Sequence, residues 1–420
     1  MPKIFKERIM NKTPIHLTIE KLAGLGDGMG MYEGRKIFVP YSCAGDKLMV
    51  ERVKTTSEAD YARIIEIKQA GKERITPVCR HFGICGGCSL QHIDKQRYIQ
   101  FKTEMAQMAI RKAGFDITAE PLVTIPSHSR RRTELKMVKG QLGYYEAGSN
   151  RIVDIEACHV LTPELFAFIQ SIKPALLAVP EITAVHINQI DNRYDLVLEA
   201  YNNEHKKLEK TGLFAFEAIQ RISFLVNKKI YIIHSKPHVS ITLSGIKVPL
   251  PPQAFLQAAK IAEEKMVELV CGYVKDSHNV LDLFSGLGTY SFALTKYKSV
   301  TAIEGSHAMV KAMKMAAKSR IMPHPFTPHT RDLFLSPLEK PELEMFDSVI
   351  INPPKMGAKA QCEQLARSNV SKIVMISCNP ATFARDARIL KEGGYELKNL
   401  TPIDQFTYSS HLELVAYFTK

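Results

Sequence analysis

Asn279-Val280-Leu281-Asp282-Leu283-Phe284-Ser285-Gly286-Leu287-Gly288-Thr289 decides the fold of this chain. Its first half is an apolar run of strand length that stops in a Gly-x-Gly turn. A buried parallel strand, a glycine turn and a following helix open a doubly wound α/β sheet, and the glycines admit a nucleotide-like ligand close to the backbone. Upstream, Ala254 to about Val270 reads as a helix. Downstream, Ser299 to Ile303 reads as a second strand ending in Glu304, an acid about twenty residues past the turn and suited to ribose hydroxyls. Asp332, in Arg331-Asp332-Leu333, is placed to read an adenine amino group. Asp347 to Ile351 is a further strand ending in Asn352-Pro353-Pro354-Lys355, and Lys372 to Ile376 another, ending at Ser377-Cys378-Asn379-Pro380. The acidic strand His411 to Val415 carries Glu413.

The whole chain has 420 residues, room for two or three domains, and 45% apolar residues gives it material for real cores. Lys and Arg (56) outnumber Asp and Glu (43), a net charge of +13 that favours a polyanionic partner such as RNA. Met1-Pro2-Lys3 opens no signal peptide, and the apolar run Pro174 to Ile190 is broken by Pro180 and Glu181, so a cytoplasmic protein with no membrane partner is expected. No obligate protein partner is implied. Eight cysteines are too sparse for a disulfide scaffold and point to metal binding or catalysis.

Three domains are expected: 1–70, 71–248 and 249–420. In the first, short strands at His16 to Ile19, Lys36 to Val39, Lys47 to Val53 and Ala62 to Ile67 alternate with glycine corners, as in a small β-barrel. Its glycine pattern and Phe38-Val39-Pro40 resemble a TRAM domain, an OB-like RNA-binding barrel; a purely architectural cap is the plainer reading. The central α+β domain opens with Cys79, Cys85 and Cys88 in a C-x5-C-x2-C cluster, with Cys158 the choice for a fourth ligand. Four thiolates accept either structural zinc or an iron–sulfur cluster. Cys43, Cys271 and Cys362 lack partner spacing and read as ordinary thiols. Lys95 to Ala113 has a helical period, closed by Gly114, and is able to pack on the catalytic domain. Arg130-Arg131-Arg132, with Tyr144 and Tyr145 nearby, suits phosphate contacts and base stacking, or is simply a solvated charge run.

Carbon 5 of uracil is a poor nucleophile. A thiolate adding to carbon 6 makes carbon 5 enolate-like, and a base must later remove the carbon 5 proton so that the thiol can leave. Cys378 and Glu413 are the candidates for these two roles. The glycine turn resembles that of class I S-adenosylmethionine enzymes more than that of NAD enzymes. With the TRAM-like barrel, the four cysteines, Phe255-Leu256-Gln257, Ser377-Cys378-Asn379-Pro380 and Asp404-Gln405-Phe406…His411-Leu412-Glu413, the chain resembles the RNA uracil-5-methyltransferases of the RumA/TrmA type over nearly its whole length. The resemblance implies a class I, Rossmann-like methyltransferase domain at the C-terminus and S-adenosylmethionine as cofactor. It also implies a [4Fe–4S] cluster on Cys79, Cys85, Cys88 and Cys158. By the same carry-over Gln257, Asp282, Ser285, Gly286, Glu304, Asp332 and Asn352 line the cofactor site, Cys378 is the nucleophile and Glu413 the base. RNA, with ribosomal RNA preferred, is the expected partner, and methylation of a 23S uridine the expected activity.

Three departures stand against the family pattern. Asn352-Pro353-Pro354-Lys355 replaces the usual Asp-Pro-Pro-Arg, Ala259 stands where Asn is usual, and Thr407 and Ser409 replace Pro and Thr near the base. The other readings are a tRNA uracil-5-methyltransferase, an N6-adenine methyltransferase and a catalytically silent RNA-binding iron–sulfur protein. The adenine reading needs an aromatic residue where Lys355 stands, to stack on the target base.

Overall fold

The computed structural model describes residues 13–202 and 205–420, so the reading of Met1-Pro2-Lys3 lies outside the described residues. The chain divides into two compact units. The smaller takes in the described residues up to Phe101 together with Glu146–Ser149 and Tyr408–Ser410. Its strands are β1 (Ile15–Thr18), β2 (Lys21–Leu22), β3 (Gly28–Tyr32), β4 (Arg35–Val39), β5 (Lys47–Thr55) and β6 (Asp60–Gln69), hydrogen-bonded in the order β1-β5-β6-β4-β3-β2. Period-two alternation buries Ile15 and Leu17 of β1 against Ile37, Val39, Leu48 and Val50, while His16 and Thr18 face outward. The sheet curls back on itself. The Glu20 amide donates to the Met29 carbonyl at 2.8 Å, and Gly30 presses so close to Thr18 that a Cβ there would lie 2.3 Å from its carbonyl oxygen. Only glycine permits that approach.

In the larger unit, a seven-stranded sheet precedes the doubly wound one. Helix α1 (Lys95–Ala113) spans the residues expected for it, and from Lys102 onward it belongs to this unit. Next come β7 (Val123–Thr124), β8 (Arg132–Val138), β9 (Gln141–Tyr145), β10 (Ile152–Val153), α2 (Pro163–Leu177), β11 (Ile182–Ile190), β12 (Arg193–Ala200), α3 (His205–Glu209), β13 (Ile219–Val226) and β14 (Lys229–Ser235). The seven-stranded order is β10-β9-β8-β11-β12-β13-β14. Thr162 caps α2, accepting a hydrogen bond from the Leu165 amide, and Pro163 sits where a missing N–H costs nothing. A hairpin of β15 (Ser240–Leu243) and β16 (Ile246–Pro249) follows.

The doubly wound sheet contains β17 (Asn279–Leu283), β18 (Ser299–Glu304), β19 (Phe326–Thr330), β20 (Ser348–Ile351), β21 (Lys372–Ser377), β22 (Glu396–Asp404) and β23 (Glu413–Thr419). Helices α4 (Lys260–Tyr273), α5 (Thr289–Leu294), α6 (His307–Lys318), α7 (Lys340–Leu343), α8 (Lys359–Arg367) and α9 (Pro380–Glu392) accompany it. The order is β19-β18-β17-β20-β21-β23-β22-β7. Alternate residues feed opposite layers. Leu281, Leu283, Ile373 and Met375 pack with α1, α8 and α9, whereas Val280, Val374 and Ile376 pack with α4 and α5. Each such side chain contributes roughly 1.5–3 kcal/mol on burial. Strand order reverses at β17, which has β18 on one side and β20 on the other, both parallel to it, so the crevice for a ligand opens at the C-terminal ends of β17 and β20. Only β23 runs against its neighbours on both sides within the described sheet, which brings its first residue beside the last of β21.

One expected element starts later than its apolar pattern suggests: the helix expected from Ala254 begins at Lys260. The preceding residues are committed as extended backbone, because Ala259 bridges Arg130 and the Ala258 carbonyl accepts from the Arg131 amide at 2.8 Å. This leaves Phe255 exposed and Leu256 buried, an alternation that suits an extended segment as well as a helix.

Candidate active site

After β17 the backbone turns through left-handed conformations at Phe284 (φ 59°), Gly286 (57°) and Gly288 (84°). A Cβ built on Gly286 would meet nothing within 4 Å, so the turn is open to a ligand on that side. Glu304, at the end of β18, faces it: one carboxylate oxygen accepts from the Gly286 amide (2.9 Å) and the other from the Ser306 amide (2.8 Å). Asp332 holds its own turn through the Phe334 amide (2.9 Å), and the Phe334 ring lies 5.3 Å from that of Phe284. Ser285 is buried and its hydroxyl donates to the Ile303 carbonyl at 3.3 Å. Asn352 follows β20, its amide donating to the Leu283 carbonyl at 3.2 Å.

Asp282 lies beneath this turn, wholly buried. One of its oxygens accepts from the Ser291 amide and hydroxyl (3.1 and 2.6 Å), while Oδ1 has no hydrogen-bond partner among the described residues. Burial pushes the carboxyl up to about 7. A buried acceptor left over, an open glycine turn and two flanking acids fit S-adenosylmethionine, a ligand with an amino group, a ribose and an adenine to be held.

The second part of the site lies where β21 meets β23. Ser377 pairs with Leu414, so Cys378 and Glu413 occupy the next position along the two strands. The Cys378 thiol is half-buried and raised from its ordinary value by burial and by the Glu413 charge, with Lys355 pulling the other way. Glu413 is only 4% exposed. Burial raises its carboxyl to about 7 against the opposing Gln405 hydrogen bond and Arg132 charge. Gln405 was not singled out by the sequence reading, yet it organises this corner: its amide nitrogen donates to Glu413 (2.6 Å) and to Gln257 (3.1 Å), and its oxygen accepts from the Ala258 amide (3.2 Å). Lys102 was also missed. Fully buried, it donates to Asp404 at 2.9 Å and to the His411 carbonyl, gripping both ends of the loop between β22 and β23.

Asn379 caps α9 through the Ala381 amide (3.0 Å), and its side-chain nitrogen, like the Thr382 hydroxyl, donates to the Lys355 carbonyl at 3.2 Å. The Asn352–Lys355 loop is thereby tied to the cysteine turn. The three arginines divide. Arg131 is buried in the fold, donating to Glu263 (2.8 Å) and to the Gln257 carbonyl (3.1 Å). Arg132 lies 4.2 Å over the Phe255 ring, and burial, with the charges of Arg130 and Arg131, lowers it to about 10. Arg130, Arg132, Glu134, His186, Asn188 and Phe255 line a cavity of about 520 Å3.

Cys79, Cys85 and Cys88 lie half-exposed on one tight loop of the smaller unit, where the Phe82 and Cys85 amides close turns onto Cys79 and His81 and the Gly87 amide donates to the Cys85 sulfur at 3.4 Å. Glu146 bridges Cys85. Cys158 belongs to the larger unit. Donor type suits a metal, but among the described residues no three His, Cys, Asp or Glu side chains converge to hold an ion. Cys43 and Cys362 are buried and Cys271 packs against a core, as ordinary thiols do. No helix among the described residues is long and apolar enough to cross a membrane.

Strand order, glycine turn and acid spacing together define a class I S-adenosylmethionine-dependent methyltransferase. Over 96% of this chain and 99% of its own length, a tRNA (uracil-54, C5)-methyltransferase of Pyrococcus abyssi, solved with S-adenosyl-L-homocysteine, shares the fold with a TM-score of 0.74 at 23% identity. An uncharacterized RNA methyltransferase of Agrobacterium fabrum is 37% identical across 96% of this chain and 99% of its own. A 23S rRNA (uracil(1939)-C(5))-methyltransferase, RlmD, of Acinetobacter baylyi is 28% identical over the full chain and 99% of its own length. Residues 336–420 match the family model described as tRNA (Uracil-5-)-methyltransferase. The chain belongs to the RNA uracil-5-methyltransferase family.

Proposed function

We propose that this protein methylates carbon 5 of a uridine in 23S ribosomal RNA, with Cys378 as nucleophile and Glu413 as base. The observation that carries this reading is the juxtaposition of a half-buried thiol with a buried carboxylate whose proton affinity lies near neutrality. The Cys378 thiolate adds to carbon 6 of the uracil ring, and electron density moves to carbon 5. Bound S-adenosylmethionine supplies the electrophilic methyl group that carbon 5 takes. Glu413 then removes the carbon 5 proton, the ring double bond re-forms, and the sulfur leaves carbon 6 as thiolate. Gln405 holds the Glu413 carboxylate in place throughout, and Lys355 favours the anionic sulfur. Gln257, Asp282, Ser285, Gly286, Glu304, Asp332 and Asn352 would hold the cofactor. The full-length likeness to RlmD supports ribosomal RNA over tRNA, since the Pyrococcus structure at 23% identity speaks only for the fold.

The three-part division at 70/71 and 248/249 belongs to the same proposal, with a TRAM-like function for the smaller unit's sheet. Phe38 and Tyr61 pair across neighbouring strands of that sheet with rings 5.6 Å apart, and Lys54 sits over Tyr61, a basic aromatic patch suited to RNA. Cys79, Cys85, Cys88 and Cys158 would ligate a [4Fe–4S] cluster, with zinc as the alternative; amide-to-sulfur bonding such as that of Gly87 suits either metal site. Nucleoside analysis of RNA from cells with and without this protein tests the main claim: 5-methyluridine at one large-subunit site should depend on it.

A further inference from the structure

We propose that a second cavity, at the tip of the β11–β12 hairpin, is a phosphate-binding subsite for the RNA strand leading away from the target uridine. The proposal rests on the RNA reading above. The cavity measures about 350 Å3 and its polar wall includes Asn192, Arg193, His238, Ser240, Thr242 and Lys247. Alternation fixes that wall. Ile241 and Leu243 of β15 and Ile246 and Val248 of β16 are buried in a core, so Ser240 and Thr242 face the cavity, and Lys247 stands directly across from Thr242. Gln220, only 7% exposed, accepts from the Arg193 guanidinium at 3.4 Å. That bond anchors one nitrogen of the fork and leaves the rest for a ligand. The single carboxylate in the lining, Asp191, lies 3.6 Å from the Lys260 ammonium, which offsets its charge.

Chemistry selects phosphate over base. The lining is rich in N–H and O–H donors, and no Phe or Tyr ring is among its described residues for a base to stack on. Position selects the RNA strand. His186 and Asn188 line the cavity beside Arg132, Ile190 lines this one, and all three share one face of β11 with a spacing of roughly 7 Å between successive members. A strand whose target base enters beside Arg132 therefore has Arg193 and Lys247 within reach at the far end of β11.

The test compares Arg193→Ala/Lys247→Ala with a charge-matched control, Lys296→Ala/Lys318→Ala; all four side chains are exposed, so the fold should survive. Binding of a large-subunit ribosomal RNA transcript is measured across a salt series. The cavity variant should bind roughly tenfold more weakly at moderate salt, with the log–log salt slope shallower by about one, while the control keeps the wild-type slope. A slope equal to the control's would overturn the subsite. Were wild-type protein to show no salt-dependent RNA binding at all, the RNA reading itself would fail, a result distinct from loss confined to the variant.

Discussion

Cys378 and Glu413 sit side by side because β23 runs antiparallel to β21: the pairing of Ser377 with Leu414 leaves the last turn of one strand beside the first residue of the other. The thiol and the carboxylate proposed as nucleophile and base are thus delivered by topology to the end of β21, in the interior of the sheet, and the Gln405 side-chain amide donates to the carboxylate at 2.6 Å.

Changing the two residues should arrest different steps. Cys378→Ala forms no adduct, so trapping by 5-fluorouridine RNA should vanish along with turnover. Glu413→Gln keeps the thiol and loses the base. A methylated RNA–protein adduct should accumulate on denaturing gels, and its absence would remove Glu413 from the elimination step.

Stability should report the same carboxylate. Burial raises the Glu413 carboxyl to about 7 from its ordinary value of 4.5, so between those values the folded chain holds a proton that the unfolded chain has lost. Stability from this group is therefore full below the lower value and falls as pH rises through the window, by on the order of 3 kcal/mol in total. Glu413→Gln should be stabilising at about pH 8 and close to neutral in effect at about pH 5, as read from urea unfolding. Equal effects at both pH values would mean that the carboxylate is not perturbed. In the wild type, single-turnover release should rise with pH through an inflection near neutrality, as Glu413 loses its proton.

Much of this site was legible because its signals are local. The β17 strand and its glycine turn, the strand ending at Cys378 and the acid at Glu413 are each contained within a few residues of sequence. Lys102 was not, since its partner Asp404 lies 302 positions away and only the folded core brings them together. Gln405 stood inside a quoted motif, but its role depends on Gln257, from the segment before α4, and Glu413, from β23, meeting it in the fold. Arg131 and Arg132 look alike in sequence, and packing alone makes one a partner of Glu263 and sets the other over Phe255. The helix expected from Ala254 starts at Lys260 because Arg130 and Arg131 claim the intervening backbone, a demand no local pattern carries.

The buried Lys102–Asp404 pair should be costly to break from one side. Lys102→Met leaves a buried carboxylate without its cation and should destabilise the protein by about 3–5 kcal/mol, whereas Lys102→Met/Asp404→Leu should recover much of the loss. Denaturant melts of the single and double variants check this. Simple additivity would show that the two side chains are not coupled.

Anaerobically purified protein should be brown and carry about four iron and four sulfide per chain. Cys158→Ser should lower metal content and thermal stability together. One zinc and no iron would replace the cluster with the alternative metal.

The central claim is tested most directly by incubating the purified protein with large-subunit ribosomal RNA and methyl-labelled S-adenosylmethionine, then digesting the RNA to nucleosides. The label should appear as 5-methyluridine with wild-type protein and be absent with Cys378→Ala. Label on adenosine, or undiminished 5-methyluridine with Cys378→Ala, would contradict the mechanism.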